Sequence, residues 1–313
     1  MKISLNWLAD YLNMSESDIE RINTDLEVEG FKIKEVLNLF EKTNKIEVGQ
    51  IHQITPHPDA ENLVIIQVDV GEEEMVQIVT GATNCNEGNF APVVRKNGRI
   101  ADGKKIKKGR LRGVESFGML CSLEELGYDP NVVPDSMFDN IYILEEQAFA
   151  PGTDIVKAVP ELSDTVLDIE AEIGNKGVLK FARQLSSALE LEEKTEMDSP
   201  EIFKMSRVMD VEQSSSPDWL KLRLMKAGIK PTDKLHDAKH YVEYEFGRSL
   251  NLLDLNEARR EQNSSADNQI ELELRVSEKG ESKKMLIQLS ENESELAEYQ
   301  MLDRYESLLK SLE

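Results

Sequence analysis

Cysteine is nearly absent: the 313 residues hold two, Cys85 and Cys121. That is too few for a disulfide framework, and no Cys-x-x-Cys pair is available to zinc. Cys121 follows the apolar Met119-Leu120 and is expected in the core. Cys85 lies in a polar Asn-Cys-Asn turn, where a reactive thiol is the alternative to a plain turn residue. No apolar run approaches the ~20 residues of a membrane helix. The opening Met1-Lys-Ile-Ser-Leu-Asn-Trp7 lacks the continuous apolar core and small-residue cleavage site of a signal peptide. The expected compartment is therefore the cytoplasm. Neither a Walker loop nor a G-x-G-x-x-G is present, so no nucleotide cofactor is expected.

Positive charge is also scarce, with 37 Lys+Arg against 60 Asp+Glu and a net charge of −23. What there is gathers in one place. Between Val94 and Gly113 stand nine cations, Arg95, Lys96, Arg99, Lys104, Lys105, Lys107, Lys108, Arg110 and Arg112, with Asp102 the one acid among them. That block carries +8 and leaves the rest of the chain at −31. A lone cationic block in an acidic protein points to a localised polyanion site. A solvated basic hairpin that only aids solubility is the plainer alternative. Gly98, Gly103, Gly109, Gly113 and Gly118 punctuate short strand-like pieces. The end of the stretch, Gly113-Val-Glu-Ser-Phe-Gly-Met-Leu-Cys-Ser122, is too apolar for a solvent loop and is expected to return into a small barrel.

Upstream lie His57-Pro-Asp-Ala-Glu-Asn-Leu63, an alternating strand with Val64, Ile66, Val68 and Val70 inward, and Val79-Thr-Gly-Ala-Thr-Asn84. In this order, followed by Lys107-Lys-Gly-Arg-Leu-Arg-Gly-Val-Glu-Ser-Phe-Gly-Met-Leu-Cys-Ser122, these motifs resemble the tRNA-binding OB module. The opening Met-Lys-Ile-Ser-Leu-Asn-Trp-Leu resembles the start of the bacterial phenylalanyl-tRNA synthetase β subunit. The resemblance implies an α+β chain. A five-stranded OB-type barrel (residues 41–150) would be inserted in a small α/β N-terminal domain (1–40 and 151–192). A degenerate, truncated editing-module-like domain (201–313) would follow. Strands are expected near Lys45–Ile54, Leu63–Val70, Val76–Thr80, Phe90–Val94 and across Lys105–Leu120, as a small Greek-key barrel requires. A short helix is expected over Ser122–Gly127.

Further along, Val166–Glu170 is expected as a strand and Val178–Leu191 as a helix with Leu179, Ala182, Leu185 and Leu189 on one face. The family's Asn-Arg-Pro-Asp-Cys-Leu loop between them is shortened here to Ala171-Glu-Ile-Gly-Asn-Lys-Gly177. Residues 193–200 form a polar linker. A helix follows, capped by Ser216 with Pro217 at its first position and Gly228 closing it. Ile270–Val276 and Met285–Leu289 suit a hairpin around Gly280. Glu293–Leu312 suits a final helix, and the amphipathic run Tyr299–Leu312 would make a self-contained ending.

Catalytic residues are not expected. Where the editing module carries Asp-Val-Thr-Asn-Tyr and Pro-Leu-His-Ala-Phe-Asp, this chain has Asp237-Ala-Lys-His-Tyr241 and Ser249-Leu-Asn-Leu-Leu-Asp254. Asn251 thus replaces the His, and an amide cannot titrate near neutral pH. His236 and His240 stand one helical turn apart, but no third ligand is evident, so a polar helix face rather than a metal is expected. Candidate base-stacking aromatics are few: Phe90, Phe117 and Tyr128, with Phe117 assigned to the core. The expected function is tRNA binding by backbone and shape, through the nine cations, with neither aminoacylation nor editing. One alternative is a truncated β subunit that joins an α subunit in phenylalanine–tRNA ligation, itself non-catalytic. Another is a scaffold that has lost RNA binding, with Leu8, Tyr11 and Leu12 as its docking contacts.

Overall fold

Ser4 turns the chain from strand to helix within its first residues: its Oγ accepts from the N–H of Trp7 at 3.0 Å, the N-cap arrangement. The computed structural model describes residues 1–22, 28, 30–145, 149–171, 176–194, 206–212, 214–247, 249–254, 282–289, 304–305 and 307–312. The chain opens with β1 (Lys2–Ser4), α1 (Leu5–Leu8), α2 (Glu16–Ile22) and β2 (Phe31–Asn38). The barrel strands follow as β3 (Asn44–Pro56), β4 (Val64–Asp69), β5 (Val76–Thr80), β6 (Phe90–Arg99), β7 (Gly109–Leu111), β8 (Val114–Ser116) and β9 (Gly118–Leu120). Next come α3 (Ile155–Ala158), a 3-10 turn at Pro160–Leu162, β10 (Thr165–Ala171) and α4 (Val178–Leu189). The remainder holds β11 (Ser206–Glu212), α5 (Asp218–Lys226), α6 (Lys234–Phe246), β12 (Leu250–Asp254) and β13 (Ser282–Leu289), with helical residues at 304–305 and 307–311.

β10 lies between β1 and β2, antiparallel to both, so a strand after the barrel completes a sheet begun before it. Ile3, Trp7, Leu8 and Leu12 pack with Leu167, Phe181 and Leu185 in one core. On α4 the buried face is Val178, Phe181, Ala182, Leu185 and Leu189, while Leu179 is half-buried. The barrel sheet runs β5-β4-β3-β6-β9, all antiparallel. Its period-2 pattern sends Ile66, Val68 and Val70 inward with Ile51, Ile78, Val93 and Leu120. β5 closes toward β8 and β9: Phe117 N–H donates to Gln77 O at 2.9 Å and Val79 N–H to Ser116 Oγ at 3.1 Å.

α5 joins the two cores. Leu220 and Leu224 belong to the N-terminal one, whereas Leu222 and Met225 pack with Val94, Tyr128 and Tyr142 on the outside of the barrel. This helix is not capped by Ser216. Pro217 occupies the cap position, and Ser216 Oγ instead donates to Asp237 Oδ2 at 2.6 Å. Ser122–Gly127 forms a single turn rather than a regular helix, although Ser122 and Glu125 exchange reciprocal capping bonds. β13 pairs with both β11 and β12, so it is the middle strand of a three-stranded sheet. The expected partner Ile270–Val276, the linker beyond residue 194 and the start of the final helix lie outside the described residues.

Candidate nucleic-acid interface

Strand β6 carries the chain out of the barrel, so the cationic stretch begins on the rigid wall, with Val93 and Val94 buried and Lys96 exposed. Asp102 bends the excursion that follows. Its carboxylate accepts from the N–H of Lys104 at 2.7 Å, while Arg99 and Lys105 form an isolated bridge. The chain then returns as the β7–β8 hairpin, whose turn has Arg112 at φ 44° and Gly113 at φ 92°. Positive φ at both turn residues matches the twist of the flanking strands, and Gly113 meets it without strain.

The nine cations are not equivalent. Arg95 is half-buried and divided between Glu47 at 2.6 Å and Glu72 at 2.7 Å. Lys108 and Arg110 both reach Glu115, at 2.9 and 3.2 Å, and the Lys108 bond in particular holds that carboxyl below the usual carboxylate range. Arg99 donates to the Gly103 carbonyl at 2.6 Å. Among the described residues no carboxylate pairs with Arg99, Lys96, Lys104, Lys105, Lys107 or Arg112, and all six are exposed. Cations without a close ion pair therefore cover the excursion after β6 and the hairpin tip, although the Glu125 carboxylate acts on Lys104 at longer range.

The aromatic candidates fall away. Phe90 and Tyr128 are buried in the core on the outer side of the barrel. Phe117 is half-buried, with Lys108 Nζ 4.8 Å from its ring centroid. No ring among these three offers a free face for base stacking, so the site suits phosphates rather than unpaired bases.

The motif residues serve the scaffold that presents these charges. Ser116 Oγ accepts from Val79 and donates to Gly118 O. A side chain at Gly118 would come within 2.9 Å of Val94 O. Asn84 exchanges two hydrogen bonds with Ile141, donating to its carbonyl and accepting from its N–H. His57 is buried and bridges its own loop to Leu111.

A protein-family model for a tRNA binding domain matches residues 46–142, the barrel just described. A second, the B3/4 domain, matches residues 201–303. The phenylalanine–tRNA ligase β subunit of Staphylococcus epidermidis is 36% identical over 279 residues, and that of Latilactobacillus sakei 34% over 278. Each alignment covers 81% of this chain and 34% of the relative. The chain is homologous to the N-terminal region of that β subunit. It spans about a third of the length of the curated relatives it matches. Among solved structures, the C-terminal domain of Plasmodium vivax p43 is similar at 29% identity, with 27% of this chain and 48% of that one covered and a TM-score of 0.21. A MetRS related protein from Pyrococcus horikoshii is similar at 22% identity, over 36% and 90%, with a TM-score of 0.26.

In this β-subunit homologue two of the other candidate groups, Asp237 and His236, are held in local bonds. Asp237 is buried and accepts from Ser216 Oγ and from the N–H of Thr232 at 2.7 Å, so it is occupied by its own module. His236 pairs with Asp233 at 2.8 Å. Burial lowers the His240 pKa. Among the described residues no group of three or more His, Cys, Asp or Glu could hold a metal. The side chain of Asn251 lies outside the described residues. Burial pushes the Cys85 thiol up to about 11, away from the thiolate, and Cys121 is fully buried. Leu8 and Leu12 are fully buried and Tyr11 nearly so, in the N-terminal core. Their burial corrects the docking contacts named for the alternative scaffold reading: the apolar period of the opening segment reports packing. No described helix is long and apolar enough to cross a membrane.

Proposed function

We propose that the chain binds tRNA through its phosphate backbone, using Lys96, Arg99, Lys104, Lys105, Lys107 and Arg112, with Arg95, Lys108 and Arg110 in lesser roles. The observation that carries this reading is the set of six exposed cations without carboxylate partners on a barrel that matches the tRNA binding domain model. The chain does not edit in this reading, since Asp237 is held by Ser216 and Thr232 and Asn251 stands where the editing module has a His, and no step of aminoacylation is assigned to it. In this reading residues 41–150 are the RNA module, 1–40 with 151–192 the small domain that carries it, and 201–313 a degenerate editing-like part. The cytoplasm is the matching compartment. A second reading, favoured by the identity of the matched relatives as β subunits, adds a phenylalanine–tRNA ligase α subunit as partner.

The test is tRNA affinity as a function of salt. With about five cations on phosphates, log K should fall against log salt with a slope of roughly −3.5 to −4.5. Replacing Lys104, Lys105 and Lys107 together by Glu should abolish the low-salt shift. Unchanged affinity in that variant would remove the proposal. Mixing the chain with an α subunit on a sizing column decides the second reading by co-elution.

A further inference from the structure

His57 is the buried histidine of the barrel, and both of its ring nitrogens are engaged. Nδ1 accepts from the N–H of Asp59 at 3.1 Å, so the ring proton sits on Nε2, which donates to the Leu111 carbonyl at 3.0 Å. The residue is 6% exposed, and its loop is closed independently, His57 N–H to Leu63 O at 3.1 Å and Leu63 N–H to Ala60 O at 3.3 Å. It is therefore a fixed post beside the hairpin. Leu111 is the last residue of β7, with an exposed side chain, and the Arg112-Gly113 turn follows it directly.

The β7–β8 hairpin is a two-stranded sheet of three residues a side, a size that is marginal in water by itself. Its root is secured to β5, where Gln77 Nε2 donates to Glu115 O at 2.7 Å and Ser116 accepts from Val79. The tip is tied to the barrel by His57, more than fifty residues away in sequence. We infer that His57 is a positioning residue for RNA binding: it holds the hairpin tip, and Arg112 on it, in one place relative to the other cations. This rests on the RNA-binding reading, and it adds to it a residue that touches no RNA.

Two isosteric variants separate the clamp from the loop. In His57→Gln the amide nitrogen lies as many bonds from Cβ as Nε2 and can still donate to Leu111 O. In His57→Asn the amide oxygen matches Nδ1, so the Asp59 contact survives and the clamp is lost. His57→Gln should bind bulk tRNA within about twofold of wild type, and His57→Asn about five- to tenfold more weakly, one hydrogen bond's worth. The salt slope of His57→Asn should be shallower by about 0.7–0.9, the loss of one phosphate contact. Amide exchange over residues 111–114 should quicken in His57→Asn and stay slow in His57→Gln. Equal affinity and slope for wild type and His57→Asn would overturn the inference. So would His57→Gln binding as weakly as His57→Asn, because the loop rather than the clamp would then be what matters. If wild type binds no tRNA at all, the functional reading falls first and the positioning role with it, whereas intact binding with unchanged exchange counts against His57 alone.

Discussion

At the scale of single residues, charge counts for what it is not already paired with. Lys107 and Lys108 are neighbours, but Lys108 lies 2.9 Å from Glu115 and Lys107 has no described carboxylate partner. On the proposed reading, RNA must displace Glu115 before it can use Lys108 or Arg110. Glu115→Gln should therefore raise tRNA affinity, about two- to fivefold at low salt, with the gain vanishing as salt screens it. Lys107→Ala should weaken binding more than Lys108→Ala. A binding titration of the three variants against wild type checks the order, and a weaker Glu115→Gln complex would contradict it. Sequence pattern located this cationic stretch but could not rank its members. The acids that occupy Arg95, Glu47 and Glu72, lie 48 and 23 residues away from it and meet it only through the barrel.

At the scale of elements, α5 shows what pattern reveals and what it hides. Its extent and its closing Gly228 follow from local chemistry, whereas its N-terminus does not. Asp218 N–H donates to Glu145 Oε2 at 3.1 Å, a partner that only the folded barrel brings there, and Ser216 is drawn off to Asp237. The same distance hid the roles of Ser116, Asn84 and His57, since each acts through a hydrogen bond across strands or loops. The α5–barrel contact also carries a titratable pair. Tyr142 donates to Asp218 at 2.8 Å and Lys221 reaches Glu145 at 2.6 Å. Burial, then the charge of Glu145, pushes the Asp218 pKa up to about 6. The folded state thus binds a proton that the unfolded chain has already released above about pH 4. From Asp218, stability is level and highest below about pH 4, falls as pH rises to about 6, and is level again beyond. Asp218→Asn should raise Tm at pH 7.5 by about 2–4 °C and flatten that slope. Thermal melts from pH 4.5 to 7.5 test this, and a variant less stable than wild type at pH 7.5 would count against the pair as described.

At the scale of the whole molecule, one buried cation fastens the parts together. Lys226, at the end of α5, is fully buried, with Nζ 2.7 Å from both Glu161 Oε2 and Asp164 Oδ2. Asp164 is fully buried too, and it also accepts from Ser4 and from the N–H of Asn6. Burial alone would raise the Glu161 carboxyl, yet Lys226 and Arg223 together hold it below the usual range. Arg223 extends the network to Asp10. The network thus links the first residues, the segment after the barrel and the start of the B3/4-like part. α5 buries leucines in both cores, so the N-terminal layer and the barrel should melt together in a single transition. Lys226→Met keeps the apolar stem but leaves Asp164 as a buried charge without a cation, which costs about 3–5 kcal/mol. Most of that cost is the stranded carboxylate rather than a lost attraction. Adding Asp164→Asn should therefore recover part of it, because the neutral amide oxygen can still accept from Ser4, although its NH2 then faces the N–H of Asn6. A double-mutant cycle by urea unfolding measures this. If the double variant is no more stable than Lys226→Met alone, the ion pair is not what holds α5 in its wedge, and the apolar packing of Leu220, Leu222, Leu224 and Met225 carries the junction by itself.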